Sequence, residues 1–186
     1  MATALIRKLG DGAGALTRDV TAEIDNIIAW AKLAPRVTFV DTANHANSGV
    51  GNTTLETISV PAATLSATGD FLEYVGEFDL AATANSKTIT YAFGGQNLNA
   101  NPWNNTTNGA QMVLIGRVYR TASTTCRCYI TATLPFNGQT NPFTQFGDIT
   151  VSNMDSNALN FVVTAQGGAS NDITQRVAHM YTVARS

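Results

Sequence analysis

Three carboxylates share one side of the stretch FLEYVGEFDL, residues 71–80: Glu73, Glu77 and Asp79 alternate against Leu72, Tyr74, Gly76, Phe78 and Leu80. On a strand, successive side chains point to opposite faces, so acids two residues apart stand ~6.6 Å apart and acids four apart ~13 Å. Glu77 and Asp79 therefore fall in the separation range of an inverting glycosidase pair, whereas Glu73 and Glu77 do not. Any two acids at i and i+2 satisfy that spacing, and nothing around these marks a raised pKa. Arg117, Arg120 and Arg127 on following strands offer partners. We read the acids as a solvated, ion-paired or subunit-facing surface rather than as catalysts or metal ligands.

The remaining reactive side chains form no recognisable constellation. His45 lies in the polar stretch DTANHANSGVGN, where an exposed loop is expected, and His179 alternates with Tyr181 and Val183 as a partly buried packing residue. Neither fits a Ser-His-Asp order or an HExxH spacing. Cys126 and Cys128, two apart on a strand, share a face but stand ~6.6–7 Å apart, at or beyond the outer limit for a disulfide. With no second Cys/His pair nearby, a zinc site is unsupported, and both are expected to be small buried apolar residues. GDGAGAL has glycines but neither a preceding strand nor a Gly-Lys-Ser ending, so it is no phosphate loop. Asn52, Asn104 and Asn105 head sequons that mark exposed loops at most. The loop around Trp103, Asn104 and Asn105 has the composition of a glycan contact, an aromatic flanked by amides; the alternative is that Trp103 plugs a domain end or a subunit seam. No catalytic residue, metal or cofactor is expected, and the chain does not read as an enzyme.

The elements that would position these residues follow from composition and pattern. The chain has 186 residues, enough for one sizeable domain and a short appendage. Only 13% of its residues are charged, and Asn, Thr, Ser, Gln and Gly supply the polarity, which suits a turn-rich all-β protein. A net charge of −2 gives no reason to expect nucleic acid or an anionic membrane as partner. No stretch approaches the ~20 apolar residues of a membrane span, and MATALIRKLGDG lacks the apolar centre of a signal peptide. A reducing cytoplasm is the expected site of synthesis and assembly.

Residues 1–35 read as an N-terminal arm (Leu5, Ile6, Leu9) and one amphipathic helix, TRDVTAEIDNIIAWAKLAP. Thr17 can cap the helix, Asp19 and Glu23 suit its positive end, Lys32 suits the other, and Pro35 stops it. Val20, Ile24, Ile27, Ala31 and Ala34 repeat at 4, 3, 4, 3, a coiled-coil seam of about two heptads. That stripe either packs on the chain's own sheet or joins copies from several chains. Residues 36–186 hold about eight strands: RVTFVD, TLETISV, FLEYVGEFDL, KTITYAF, QMVLIGRVYRT, TCRCYITATLP, LNFVVTAQG and RVAHMYTVA. Many short strands joined by polar turns indicate a sandwich or barrel. QMVLIGRVY and LNFVVTA are nearly continuous in apolar residues, as strands covered on both faces are. An oligomer, or the helix laid over a sheet, would provide that cover.

One family-level resemblance sits in these residues. ISVPAATLSATGD, KTITYAFGG and the ending SNDITQRVAHMYTV resemble a recurrent pattern in bacteriophage virion proteins: a strand ending in Ile-Pro, a Leu-x-x-x-Gly-Asp turn, a Lys-x-hydrophobic strand ending in Phe-Gly-Gly, and Asn-Asp-Ile-Thr before the final strand. Val60 replaces the Ile. The likeness spans roughly residues 54–184. It implies a single jelly-roll β-sandwich of antiparallel strands, forming homotrimers on the phage particle after assembly in the host bacterial cytoplasm. It further implies a capsid decoration or cement protein clamping the major capsid protein, with the arm and helix facing the capsid. The alternative is a receptor-binding or tail-fibre tip that turns loops 96–110 and 135–147 to host glycans. One module on a small anchor favours decoration, since a fibre tip usually carries a longer shaft or docking domain.

Overall fold

A computed structural model describes residues 36–98, 103–105, 109–133 and 143–183. The arm residues Leu5, Ile6 and Leu9 and the helix stripe Val20, Ile24, Ile27, Ala31 and Ala34 lie outside the described residues. The described residues form β1 (Arg36–Asp41), β2 (His45–Ala46), β3 (Thr53–Val60), β4 (Phe71–Leu80), β5 (Lys87–Phe93), β6 (Gln96–Asn97), β7 (Trp103–Asn105), β8 (Ala110–Ala122), β9 (Thr125–Thr133), β10 (Phe143–Thr150), β11 (Leu159–Gln166) and β12 (Ile173–Val183). They make two antiparallel sheets. In the seven-stranded sheet β1, β12, β4, β8, β9 and β10 lie side by side, with β2 also on β12; in the five-stranded sheet β3, β11, β5 and β6 lie side by side, with β7 also on β5.

The eight strands expected from hydrophobic pattern are all present, and β10 and the short β2, β6 and β7 join them. FTQFGDIT escapes a period-2 search because Phe143 and Phe146 fall three apart and Gly147 and Asp148 interrupt the run. The expected loops 96–110 and 135–147 are corrected accordingly: Gln96–Asn97, Trp103–Asn105 and the residues from Phe143 onward are strands.

Alternation on β4 puts Leu72, Tyr74, Phe78 and Leu80 inside, where Tyr74 stacks on Phe161 of β11 at 5.0 Å and meets Tyr91 of β5 edge-on at 5.2 Å. The two sheets thus face each other through an aromatic cluster, each ring pair contributing about 0.5–1.5 kcal/mol beyond its buried area. Gly116 of β8 makes room for it: a Cβ there would stand 2.5 Å from the Tyr91 ring. The buried hydroxyls are satisfied, Tyr91 donating to the Leu114 carbonyl at 3.2 Å and Tyr74 to Gln175 Oε1 at 2.9 Å. Cys126 and Cys128 are free and fully buried, and burial pushes their thiols up to about 11 and about 12.

The segments that carry the phage-like pattern tie down the loops at the sheet ends. In LSATGD, the Asp70 carboxylate accepts the Ala67 N–H at 2.7 Å, the Asp70 carbonyl accepts the Arg120 N–H, and the Gly69 N–H donates to the carbonyl of Arg120, whose buried guanidinium donates to the Leu65 carbonyl and to Asp155. In KTITYAFGG, Lys87 Nζ donates to the carbonyls of Thr83 and Asn85, while Gly94 and Gly95 both take positive φ and close a two-residue turn between β5 and β6. In SNDIT, buried Asp172 accepts from Thr83 Oγ1, Asn85 Nδ2 and the Ala169 N–H at 2.7, 2.9 and 2.8 Å. Lys87, Asp70 and Asp172 thus each have a hydrogen-bonding task.

Candidate interaction face

The outward side of the seven-stranded sheet carries half-buried apolar and aromatic side chains together with charged ones. Strand pairing sets them in rows. One row runs Val40, His179, Val75, Ile115, Thr131 and Thr144 across six strands. The next runs Tyr181, Glu73, Arg117, Tyr129 and Phe146, and a third runs Val183, Phe71, Tyr119, Arg127 and Asp148. Phe146 is 73% exposed and Val40 60%, and the apolar residues between them are half-buried. Phe71 and Tyr119 pair their rings at 5.0 Å, and His179 and Tyr181 meet edge-on at 5.1 Å. The near-continuous apolar reading of QMVLIGRVY is resolved here: Met112, Leu114 and Val118 point into the core, while Val113, Ile115 and Tyr119 face out.

Most of the charge on this face is paired in place. Glu73 pairs with Arg117 across β4 and β8, as the sequence suggested, and that bond raises the Arg117 pKa. Asp79 pairs instead with Arg176 of β12 at 2.6 Å, and Arg127 with Asp148 of β10 at 2.9 Å. Glu77 is exposed. Arg120 points inward to Asp155 and takes no part. Two of the three acids are therefore ion-paired. A half-buried aromatic surface with arginines held in pairs has the composition of a protein–protein contact. Glu77, Asp79, Gln111 and Arg176 also border a shallow recess of about 120 Å³ beside this face.

The other sequence-selected residues are scattered. Trp103, Asn104 and Asn105 form β7, paired with Ile89, Thr88 and Lys87 of β5; their side chains lie outside the described part. His179 is a packing residue, as expected. His45 departs from the expected exposed loop: it opens β2, opposite Gln175 of β12, half-buried, with Nε2 2.8 Å from Asp41 Oδ2. Glu56 of β3 completes a group of three with them, a grouping that no local pattern in the sequence announces.

No protein-family model and no curated protein matches the chain. Among solved structures it is similar to the CBM2 module of the evolved Dit of Lactobacillus casei BL23 phage J-1, at 8% identity and TM-score 0.40, over 75% of each chain. It is also similar to a protein of unknown function from Shewanella oneidensis MR-1, at 9% identity and TM-score 0.39, over 90% of this chain and 95% of that one. A third is the VP2 subviral particle of infectious bursal disease virus, at 8% identity and TM-score 0.36, over 81% of this chain and 33% of that one.

Proposed function

We propose that the chain is a structural protein of a bacteriophage virion: a jelly-roll domain that assembles as a homotrimer and decorates the capsid by clamping the major capsid protein. The observation that carries this reading is the outward face of the seven-stranded sheet. Its rows of Val, Ile, Tyr and Phe, with arginines and acids already paired among themselves, suit burial against another protein surface. The quoted phage-like segments support the virion setting. Placement on the particle surface, after assembly in the host bacterial cytoplasm, belongs to the same proposal.

Light scattering on the purified chain is expected to give three times the chain mass. Ile115→Glu, at the centre of the face, is expected to yield a folded monomer. A wild-type monomer overturns the trimer. For the capsid role, deletion of residues 1–35 is expected to abolish co-sedimentation with undecorated capsids, and undiminished binding overturns it. Glycan-array binding that vanishes in Trp103→Ala would transfer the protein to the fibre-tip reading.

A further inference from the structure

A second site stands at the edge of the sandwich, away from the interaction face. Asp41 ends β1 and His45 opens β2, both alongside β12 at the border of the seven-stranded sheet; Glu56 lies in β3, the edge strand of the five-stranded sheet. One ligand atom from each of the three lies within 4.8 Å of the others. We propose that Asp41, His45 and Glu56 bind one divalent transition-metal ion of the Zn2+ class, which clips the edges of the two sheets together.

The donor set selects the metal. One imidazole nitrogen with two carboxylate oxygens suits Zn2+ and its first-row neighbours, whereas Ca2+ and Mg2+ take oxygen alone. Around a tetrahedral ion with ligand bonds of ~2.1 Å, donor atoms stand ~3.4 Å apart. His45 Nε2 and Asp41 Oδ2, now 2.8 Å apart, need to part by about 0.6 Å to reach that spacing. The fourth position falls to water.

The surroundings are organised as ligand support. The Ala43 N–H donates to Asp41 Oδ1 at 2.6 Å, which leaves Oδ2 for the site. Gln175, fully buried, aims its amide at the cluster from β12: Nε2 lies 3.4 Å from Glu56 Oε2, and the Tyr74 hydroxyl holds Oε1 at 2.9 Å. Buried partners of this kind orient ligands and are usual behind metal sites.

The charge balance asks for a cation. Glu73, Asp79, Asp148 and Asp155 each have an arginine, but among the described side chains neither Asp41 nor Glu56 has a lysine or arginine partner.

The test uses the full chain, stripped with EDTA, dialysed and titrated with ZnCl2 by calorimetry. One Zn2+ per chain is expected, with a Tm rise of about 5–10 °C at free Zn2+ a hundredfold above Kd. Glu56→Gln and His45→Ala, each checked by circular dichroism, are expected to weaken binding about a hundredfold. The isosteric Glu56→Gln carries the test if His45→Ala does not fold. Absent heat and an unmoved Tm overturn the proposal. So does undiminished binding in Glu56→Gln, which would place the ion elsewhere, or equally tight binding of Ca2+, which would leave the imidazole without a role.

Discussion

Two groups of carboxylates at the sheet margins are handled in opposite ways. At Asp172, burial alone would raise the pKa, but Thr83, Asn85 and the Ala169 and Gly168 N–H groups outweigh it and hold the carboxyl below its ordinary value. At the Asp41–Glu56 edge two acids and one imidazole gather, one ligand atom of each within 4.8 Å of the others, and burial raises the Glu56 pKa. The first is a finished structural device whose charge is spread over neutral donors. In the second, neither acid has a lysine or arginine partner among the described side chains. Equal formal charge therefore says little about role; the count of donors around each oxygen says more.

The largest effect should come from breaking the finished site. Asp172→Ala leaves the Ala169 N–H, the Asn85 amide and the Thr83 hydroxyl without their acceptor. Such buried groups cost about 1–3 kcal/mol each when orphaned, and partial rehydration brings the expected sum to about 3–4 kcal/mol. Denaturant unfolding at constant m-value is the measurement, and a loss below about 1 kcal/mol would mean the corner is not a lock. Asp172→Asn, which keeps one acceptor oxygen, should lose about half as much. Lys87→Met comes next: it keeps the buried stem but strips the Nζ bonds to the Thr83 and Asn85 carbonyls, with a loss of about 2 kcal/mol expected.

Acid titration separates the two sites by sign. Asp172 has a lowered folded pKa, so its contribution is full above the unfolded value near 3.8 and disappears as pH falls through the lower folded value. Asp41 acts in the same direction, chiefly through the Ala43 N–H. Glu56 acts in the other: its raised pKa imposes a cost at neutral pH that is relieved as pH falls through the folded value toward 4.5. Metal-free protein should therefore hold or gain slightly in stability from pH 7 to about 5 and lose it below about 4. Asp172→Asn should flatten the acid limb, and a wild-type profile that falls steadily from neutral pH contradicts the Glu56 assignment.

How far the sequence reveals these sites depends on how local their partners are. The long strands show in alternation because each buries one face, and the Glu73–Arg117 pair shows because adjacent strands of similar length align simply. Asp79 finds Arg176 rather than a residue of β8 or β9 because β12 comes back from the far end of the chain to lie beside β4, with a bulge between Gln175 and Val177 that no local pattern announces. The Asp172 lock is legible as a motif, SNDIT, but not as a mechanism, since its side-chain donors, Thr83 and Asn85, sit far off in sequence. The metal-type cluster was illegible. Asp41 and His45 are four apart, a helical spacing in a segment without helical pattern, and Glu56 belongs to the other sheet. Only an Asp-x-x-x-His spacing ahead of a strand bearing Glu could have drawn notice.

The smallest effect is the sharpest discriminator. Glu56→Gln in metal-free protein removes a charge that costs something at neutral pH and keeps the shape of the side chain. Gln175, which now points Nε2 at Glu56 Oε2, can still meet an amide oxygen there. Stability measured in EDTA should stay within about 0.5 kcal/mol of wild type, on the stabilising side, because the site is half-exposed and water screens much of the repulsion. The same substitution in the finished corner costs several times more. If Glu56→Gln instead loses about 2 kcal/mol in EDTA, Glu56 is a hydrogen-bonded structural acid like Asp172, and the contrast between the two regions fails. If it is silent in EDTA but abolishes the Zn2+-dependent rise in Tm, the charge at this edge is there for an ion and not for the fold.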